Sequence, residues 1–249
     1  MQAFASQQSH TTVYQSCVNR EDEMERMRSQ IATSKSLLVF GPSGIGKSRL
    51  LQDFVRSRSA ALYVPQLRSP REMLLTLLQE LNTADSRIKL RADVRALSSA
   101  SLKGIVHRAL DTGPFMMVLD HLEGPSRVVT GMIKDLHAFG RTPVIFAARS
   151  PHMEDIGTLQ PLCALKSERL ELKNWPLPIA LEFARVRAET TGLSAANLES
   201  ALSSLVEWTG GNPGALIQMI GMAQQLRYRA GDQIKAHILY LDYRMGRQM

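Results

Sequence analysis

One octapeptide limits the folds open to this chain more than any other stretch: Gly41-Pro42-Ser43-Gly44-Ile45-Gly46-Lys47-Ser48. It sits between an apolar run, Ser36 to Phe40 (SLLVF), and a helix-like segment, Arg49 to Arg58. The apolar run reads as a short buried strand. Strand, tight loop and helix in that order make one supersecondary unit. A strand apolar on both faces belongs in a parallel sheet covered by helices.

The spacing fits G-x-x-x-x-G-K-[ST], the phosphate-binding loop of nucleotide-hydrolysing proteins. Glycines 41, 44 and 46 let the backbone turn tightly and leave its N–H groups open to converge on an anion. The helix starting near Lys47 adds its positive end, and Arg49 lies in its first turn. Lys47 supplies a mobile charge for the outer phosphates. The Ser48 hydroxyl is placed to ligate Mg²⁺, which takes oxygen ligands.

Composition excludes several classes. A chain of 249 residues is long enough for a proper core, as one large domain or two small ones. Two cysteines, Cys17 and Cys163, lie far apart without C-x-x-C spacing and read as free thiols of a reducing compartment. The histidines lack zinc-ligand spacing. No apolar run approaches membrane-spanning length, and the polar N-terminal tail lacks the apolar core of a secretory signal. The chain therefore reads as cytoplasmic, with no membrane partner. A formal charge of +7 favours acidic partners such as nucleic acid, but weakly.

Residues Glu21 to Thr33 read as an amphipathic helix with Met24, Met27 and Ile31 on one face. A second strand is expected at Ala61 to Val64. Ser69-Pro70-Arg71-Glu72 is a capping box with proline at the first helical position, opening a leucine-rich helix to Leu81. Residues 82 to 100 are polar and basic, and a helix follows from Leu102 to Leu110. Phe115 to Leu119 is a third strand ending in Asp120. Ser126 to Phe139 is helical, Pro143 to Ala148 is a fourth strand ending in Arg149, and Arg169 to Leu172 is a fifth, at an edge. Alternating strands and helices give an α/β fold with a mostly parallel five-stranded sheet. After Trp175 only helices are legible: Pro178 to Thr191, one capped by Ser194 with Leu198, Leu202, Leu205 and Val206 inward, one from Pro213, and a last from Asp232 to Met245. The expected organisation is a tail over 1–18, a nucleotide domain over 19–174 and a helical lid over 175–249.

Open parallel sheets bind ligands beyond the carboxyl ends of their strands. Three strands here end in polar residues at that edge: the phosphate loop, Asp120 and Arg149. Asp120 can hold Mg²⁺ through water, and Arg149 can meet the γ-phosphate. Glu123 is the candidate for polarising an attacking water. Each has a plain alternative: a strand-end turn, a surface ion pair and a helix-entry acid.

These residues resemble the P-loop ATPases of the AAA+ and STAND type, nearest the small archaeal-type, Cdc6-like and transposition-helper branches. Asn19-Arg20-Glu21-Asp22-Glu23-Met24 is similar to their G-R-E-x-E-L segment, which implies that Arg20 lines an adenine pocket. FMMVLD at 115–120 looks like the Walker B strand and VIFAARS at 144–150 like the sensor strand. Gly210-Gly211-Asn212-Pro213 resembles the lid motif, which implies that Pro213 packs near the nucleotide. Read from the residues alone, the same tetrapeptide is a helix–helix turn. Asn19 stands where those families carry glycine, and His121 where they carry an acid.

The resemblance implies ATP and Mg²⁺ as cofactors and an ATPase switch with a protein partner or a second copy. Two alternatives stay open. A non-hydrolysing adaptor would bind ATP and ADP only to fix its shape, and His121 motivates it. A DNA-remodelling helper would use the basic residues Arg87, Lys89, Arg91, Arg95, Lys103 and Arg108, or Arg227, Arg229, Lys235, Arg244 and Arg247. Without an N/T-K-x-D stretch, a guanine-nucleotide switch is disfavoured.

Overall fold

The computed structural model describes residues 19–85, 94–140 and 142–246. The tail over 1–18, Cys17, and the basic residues Arg87, Lys89, Arg91 and Arg247 lie outside the described residues. The chain divides into two compact units. The first holds residues up to Pro42 and Lys47–Leu172; the second holds Lys173–Met249 together with Ser43–Gly46.

The first unit follows the order α1 (Glu21–Ala32), β1 (Leu37–Phe40), α2 (Lys47–Arg56), β2 (Ala61–Val64), α3 (Pro70–Ala84), α4 (Ser99–Thr112), β3 (Met116–Leu122), α5 (Arg127–Gly140), β4 (Val144–Ala148), α6 (Met153–Ile156) and β5 (Arg169–Glu171). Its sheet has the order β2-β3-β4-β1-β5, and every neighbouring pair is parallel. β5 takes the expected edge. The central strands read as continuous apolar runs because both faces are covered. Val144 to Ala148 are all buried, as are Leu37, Leu38 and Val39.

Local signals set the helix starts. Pro70 occupies the first turn of α3, and the Ser69 side chain accepts from Glu72 N at 3.2 Å. Leu74, Leu77, Leu78 and Leu81 then recur at helical spacing and are fully buried, each worth about 1.5–3 kcal/mol relative to exposure. The flanking helices both reach into the polar stretch over 82–100. α3 runs on to Ala84, and α4 starts at Ser99 with Ser98 as its cap.

The second unit contains α7 (Leu177–Thr190), α8 (Leu198–Thr209), α9 (Pro213–Ala223), β6 (Arg229–Ala230), β7 (Gln233–Ile234) and α10 (Ala236–Gly246). Two sequence expectations change here. Ser194 does not cap α8. Asn197 holds that position, and its side chain spans both polar groups of Ile234, accepting from N at 2.8 Å and donating to O at 3.0 Å. The last helix starts at Ala236 rather than Asp232, because β6 and β7 form an antiparallel hairpin turning at Gly231 and Asp232. On α8, Leu202, Leu205 and Val206 are buried as expected, with Ala201 beside them, while Leu198 is half-buried.

Gly211 is fixed by both conformation and space. Its φ is +76°, and a Cβ there would lie 2.2 Å from the Trp175 carbonyl oxygen. Its own carbonyl accepts from Trp175 N at 3.1 Å, so the backbone cannot retreat without breaking that bond. Gly211→Ala is therefore expected to cost at least about 2 kcal/mol, measured by denaturant unfolding.

Candidate functional site

β1 delivers the chain into the phosphate loop, and α2 opens at Lys47. Gly41, Gly44 and Gly46 all take positive φ. The Lys47 ammonium folds back on the loop, donating to the carbonyl oxygens of Gly41 at 2.6 Å and Pro42 at 3.1 Å. Burial holds its pKa below the ordinary lysine value. The Asp120 carboxylate opposes that shift, Arg149 adds to it, and Glu123 and Asp155 oppose it. One ammonium thus feels the charges of three sequence-selected residues, Asp120, Arg149 and Glu123.

Asp120 is 1% exposed. A buried carboxylate survives only when its oxygens are hydrogen-bonded. Here Oδ2 accepts from the Tyr63 hydroxyl and Oδ1 from His121 N, both at 2.8 Å. The sequence reading ends β3 at this residue. The structure instead carries the strand to Leu122, with an irregular register between Leu119 and Leu122. The irregularity places His121 at φ +52° and brings its Nε2 to 3.1 Å from Ser48 Oγ.

The remaining sequence candidates are more dispersed. Arg149 is exposed just beyond β4. Glu123 is exposed and lines a cleft of about 500 Å³ with Pro65, Gln66, Leu67, His121 and Pro125. Arg49 pairs with Asp53 one turn along α2, at 3.1 Å. Arg20 is buried at the start of α1 and holds Glu23 at 2.6 Å. Ile45 is buried, whereas Pro42, Ser43 and Gly44 are exposed.

Pro213 belongs to the second unit, at the first position of α9 and buried. Its neighbour Asn212 is the residue with contacts to the loop apex. The Asn212 Oδ1 caps α9 by accepting from Ala215 N at 3.0 Å, while Nδ2 donates to Ser43 O at 3.2 Å. Gly214 N donates to Gly44 O at 2.8 Å. A Cβ on Gly44 would meet Asn212 Oδ1 at 2.8 Å, so this contact requires glycine apart from its φ of +79°.

Sequence reasoning gave Tyr63 no role, and within the lid motif it singled out Pro213 rather than Asn212. Tyr63 carries the polar side-chain atom of an otherwise apolar β2, and it pairs with Val118, two residues before Asp120. Asn212 precedes a proline at a helix start, which is a cap signal.

The donors present fit a magnesium–nucleotide. The Lys47 partners are loop carbonyls that phosphate oxygens can replace. Ser48 offers a hydroxyl, and Asp120 keeps lone pairs, since a carboxylate has about four sites and two are used.

No protein-family profile and no curated protein sequence matches the chain. Solved structures do. The Walker-type ATPase of Pyrococcus abyssi aligns with TM-score 0.66 and 16% identity over 94% of this chain and 74% of its own. The ORC1 protein of Aeropyrum pernix, solved in complex with DNA, gives 0.62 and 14% over 92% of this chain and 65% of its own. Cdc6p of Pyrobaculum aerophilum gives 0.59 and 10% over 83% and 61%. The chain thus spans less than two thirds of the latter two. At these identities the likeness shows the fold alone, a parallel-sheet P-loop fold shared with these three proteins.

Burial raises the Tyr63 phenol from 10.0 to about 12; the hydrogen bond to Asp120 and its charge add to the shift, and a Gln52 hydrogen bond opposes it. The unfolded chain therefore loses this proton first as pH rises. Stability from the neutral phenol is full below pH 10.0 and is lost as pH rises towards 12. Tyr63→Phe is expected to remove one late component from the alkaline phenolate absorbance titration and to flatten the alkaline loss of stability.

Proposed function

We propose that the chain is an ATP-driven switch of the AAA+ class, a slow ATP hydrolase. The observation that supports this most is the gathering of Lys47, Ser48 and Asp120 at the carboxyl edge of the sheet, with Arg149 and Glu123 in the field of Lys47. Lys47 exchanges its two loop carbonyls for β- and γ-phosphate oxygens. Main-chain N–H groups of residues 43–48 take the remaining phosphate oxygens, and α2 adds its positive end. Ser48 and Asp120 hold Mg²⁺, which supplies neutralisation of phosphate charge. Glu123 orients the attacking water from its cleft, and Arg149 meets the γ-phosphate. In the first unit, Arg20 is the adenine-side residue; the resemblance gives Pro213 of the second unit the same role.

His121 in place of an acid leaves no carboxylate directly after Asp120, which is why slow turnover is expected. Calorimetry with ATP and a phosphate-release assay test the reading. Charge-assisted hydrogen bonds contribute about 1.5–3 kcal/mol each. Lys47→Ala should therefore weaken ATP binding about 10- to 100-fold and bring phosphate release to background. ATP binding with no release in either protein would favour the adaptor reading instead.

A nucleic-acid helper is the second reading, favoured by the net charge of +7 and by the ORC1 neighbour solved with DNA. The basic residues are only partly available for it. Lys103 is paired with Asp135 at 2.7 Å, and Arg229 donates to Ser194 O, but Arg108, Arg227, Lys235 and Arg244 are exposed. Duplex binding by this route falls steeply with salt in fluorescence anisotropy, and a flat response would sink it.

A further inference from the structure

The histidine after Asp120 has a metal-ligand geometry that the ATPase reading leaves unused. Three observations define it. First, the irregular register of β3 is accompanied by a left-handed conformation at His121, φ +52°, which non-glycine residues seldom adopt. The surrounding bonds hold it there, because His121 N donates to Asp120 Oδ1 at 2.8 Å. Second, the imidazole is brought against both oxygen donors assigned above to the cation. Nε2 lies 3.1 Å from Ser48 Oγ and 3.7 Å from Asp120 Oδ2. Third, the His121 side chain is 57% exposed, so its ring can exchange a hydrogen-bond partner for a metal without opening a core.

The His121–Ser48 spacing suits one coordination sphere. Neighbouring ligands of an octahedral ion with bonds of about 2.1 Å are separated by about 3.0 Å. The Nε2–Oγ separation matches that value, whereas the Nε2–Oδ2 separation of 3.7 Å is wider, which leaves Asp120 to reach the ion through water. Among the described residues, no group of three His, Cys, Asp or Glu side chains forms a metal site by itself. A cation here is therefore completed by the Ser48 hydroxyl, phosphate oxygens and water.

An imidazole nitrogen changes which cation such a sphere prefers. Mg²⁺ takes oxygen almost alone, whereas first-row transition ions accept imidazole, with affinity rising from Mn²⁺ through Co²⁺ to Ni²⁺. We propose that His121 is a nitrogen ligand, beside Ser48 and Asp120, to the cation that accompanies the nucleotide, and that this site prefers a first-row transition dication to Mg²⁺. The inference rests on the nucleotide reading for the phosphate part of the sphere. Its own content is the nitrogen ligand and the ion preference.

The test uses the full chain with a non-hydrolysable ATP analogue and two measurements. Electron spin-echo modulation of bound Mn²⁺ should show a directly coordinated ¹⁴N in the native chain and none in His121→Gln. Calorimetry should give a Co²⁺-to-Mg²⁺ affinity ratio about tenfold higher for the native chain than for His121→Gln. The spin-echo signal of the native chain decides the matter even if the variant fails to fold. Bound nucleotide and cation with no nitrogen modulation, or a metal ratio unchanged by the substitution, overturns this inference and leaves the ATPase reading standing. Nitrogen-bound Mn²⁺ in a chain that takes no nucleotide overturns the ATPase reading and keeps the ligand assignment. Neither metal nor nucleotide bound overturns both.

Discussion

A carboxylate in the end of a parallel sheet is costly unless its oxygens are met, and the Asp120 site is organised around meeting them. β3 lies between β2 and β4. Its β2 neighbour supplies the Tyr63 hydroxyl to one oxygen, and its own next residue supplies a main-chain N–H to the other. That second bond coincides with the irregular register of β3, and the irregular register sets the position of His121. The buried charge, the strand irregularity and the imidazole beside Ser48 thus meet within two consecutive residues. The same charge acts on Lys47 across the loop, opposing the loss of its proton through burial.

The loop shows a division of labour between side chains and backbone. Lys47 and Ser48 belong to α2, which packs against the sheet, whereas Ser43–Gly46 belong to the second unit. That apex is held through main-chain carbonyls by Asn212 and Gly214. In a trans peptide each carbonyl oxygen points opposite to the N–H of the following residue, so holding the loop by its carbonyls turns the next N–H groups to the other side.

Elements whose burial is two-sided were legible, because their apolar runs need no partner to be recognised. Phe115 to Leu119 and Pro143 to Ala148 are of this kind, and so are the leucines of α3. What could not be read depends on pairing across the fold. Ser194 and Asn197 are equally good caps by type, yet Asn197 takes the N-cap position with its side chain committed to both backbone groups of Ile234 and not to the helix. The hairpin at 229–234 has two-residue strands, too short for any periodicity. At the site, Asp120 was visible as a polar residue ending an apolar run. Tyr63 was not, since its value depends on the register of β2 against β3. The roles of Arg20 and Pro213 came from family resemblance and not from any local signal; their contacts include an ion pair with Glu23 and the first turn of α9.

The approach of Gly44 to Gly214 bears on how this protein can be dissected. A Cβ on Gly214 would lie 2.6 Å from Gly44 Cα. The tip of the anion-binding loop is thus shaped by residues encoded some hundred and seventy positions downstream. A fragment ending after β5 retains the lysine and the sheet, yet it lacks the donors that give the tip its form. The octapeptide is not a portable cassette: transplanted without its distant partners, it would be a sequence signature without its shape.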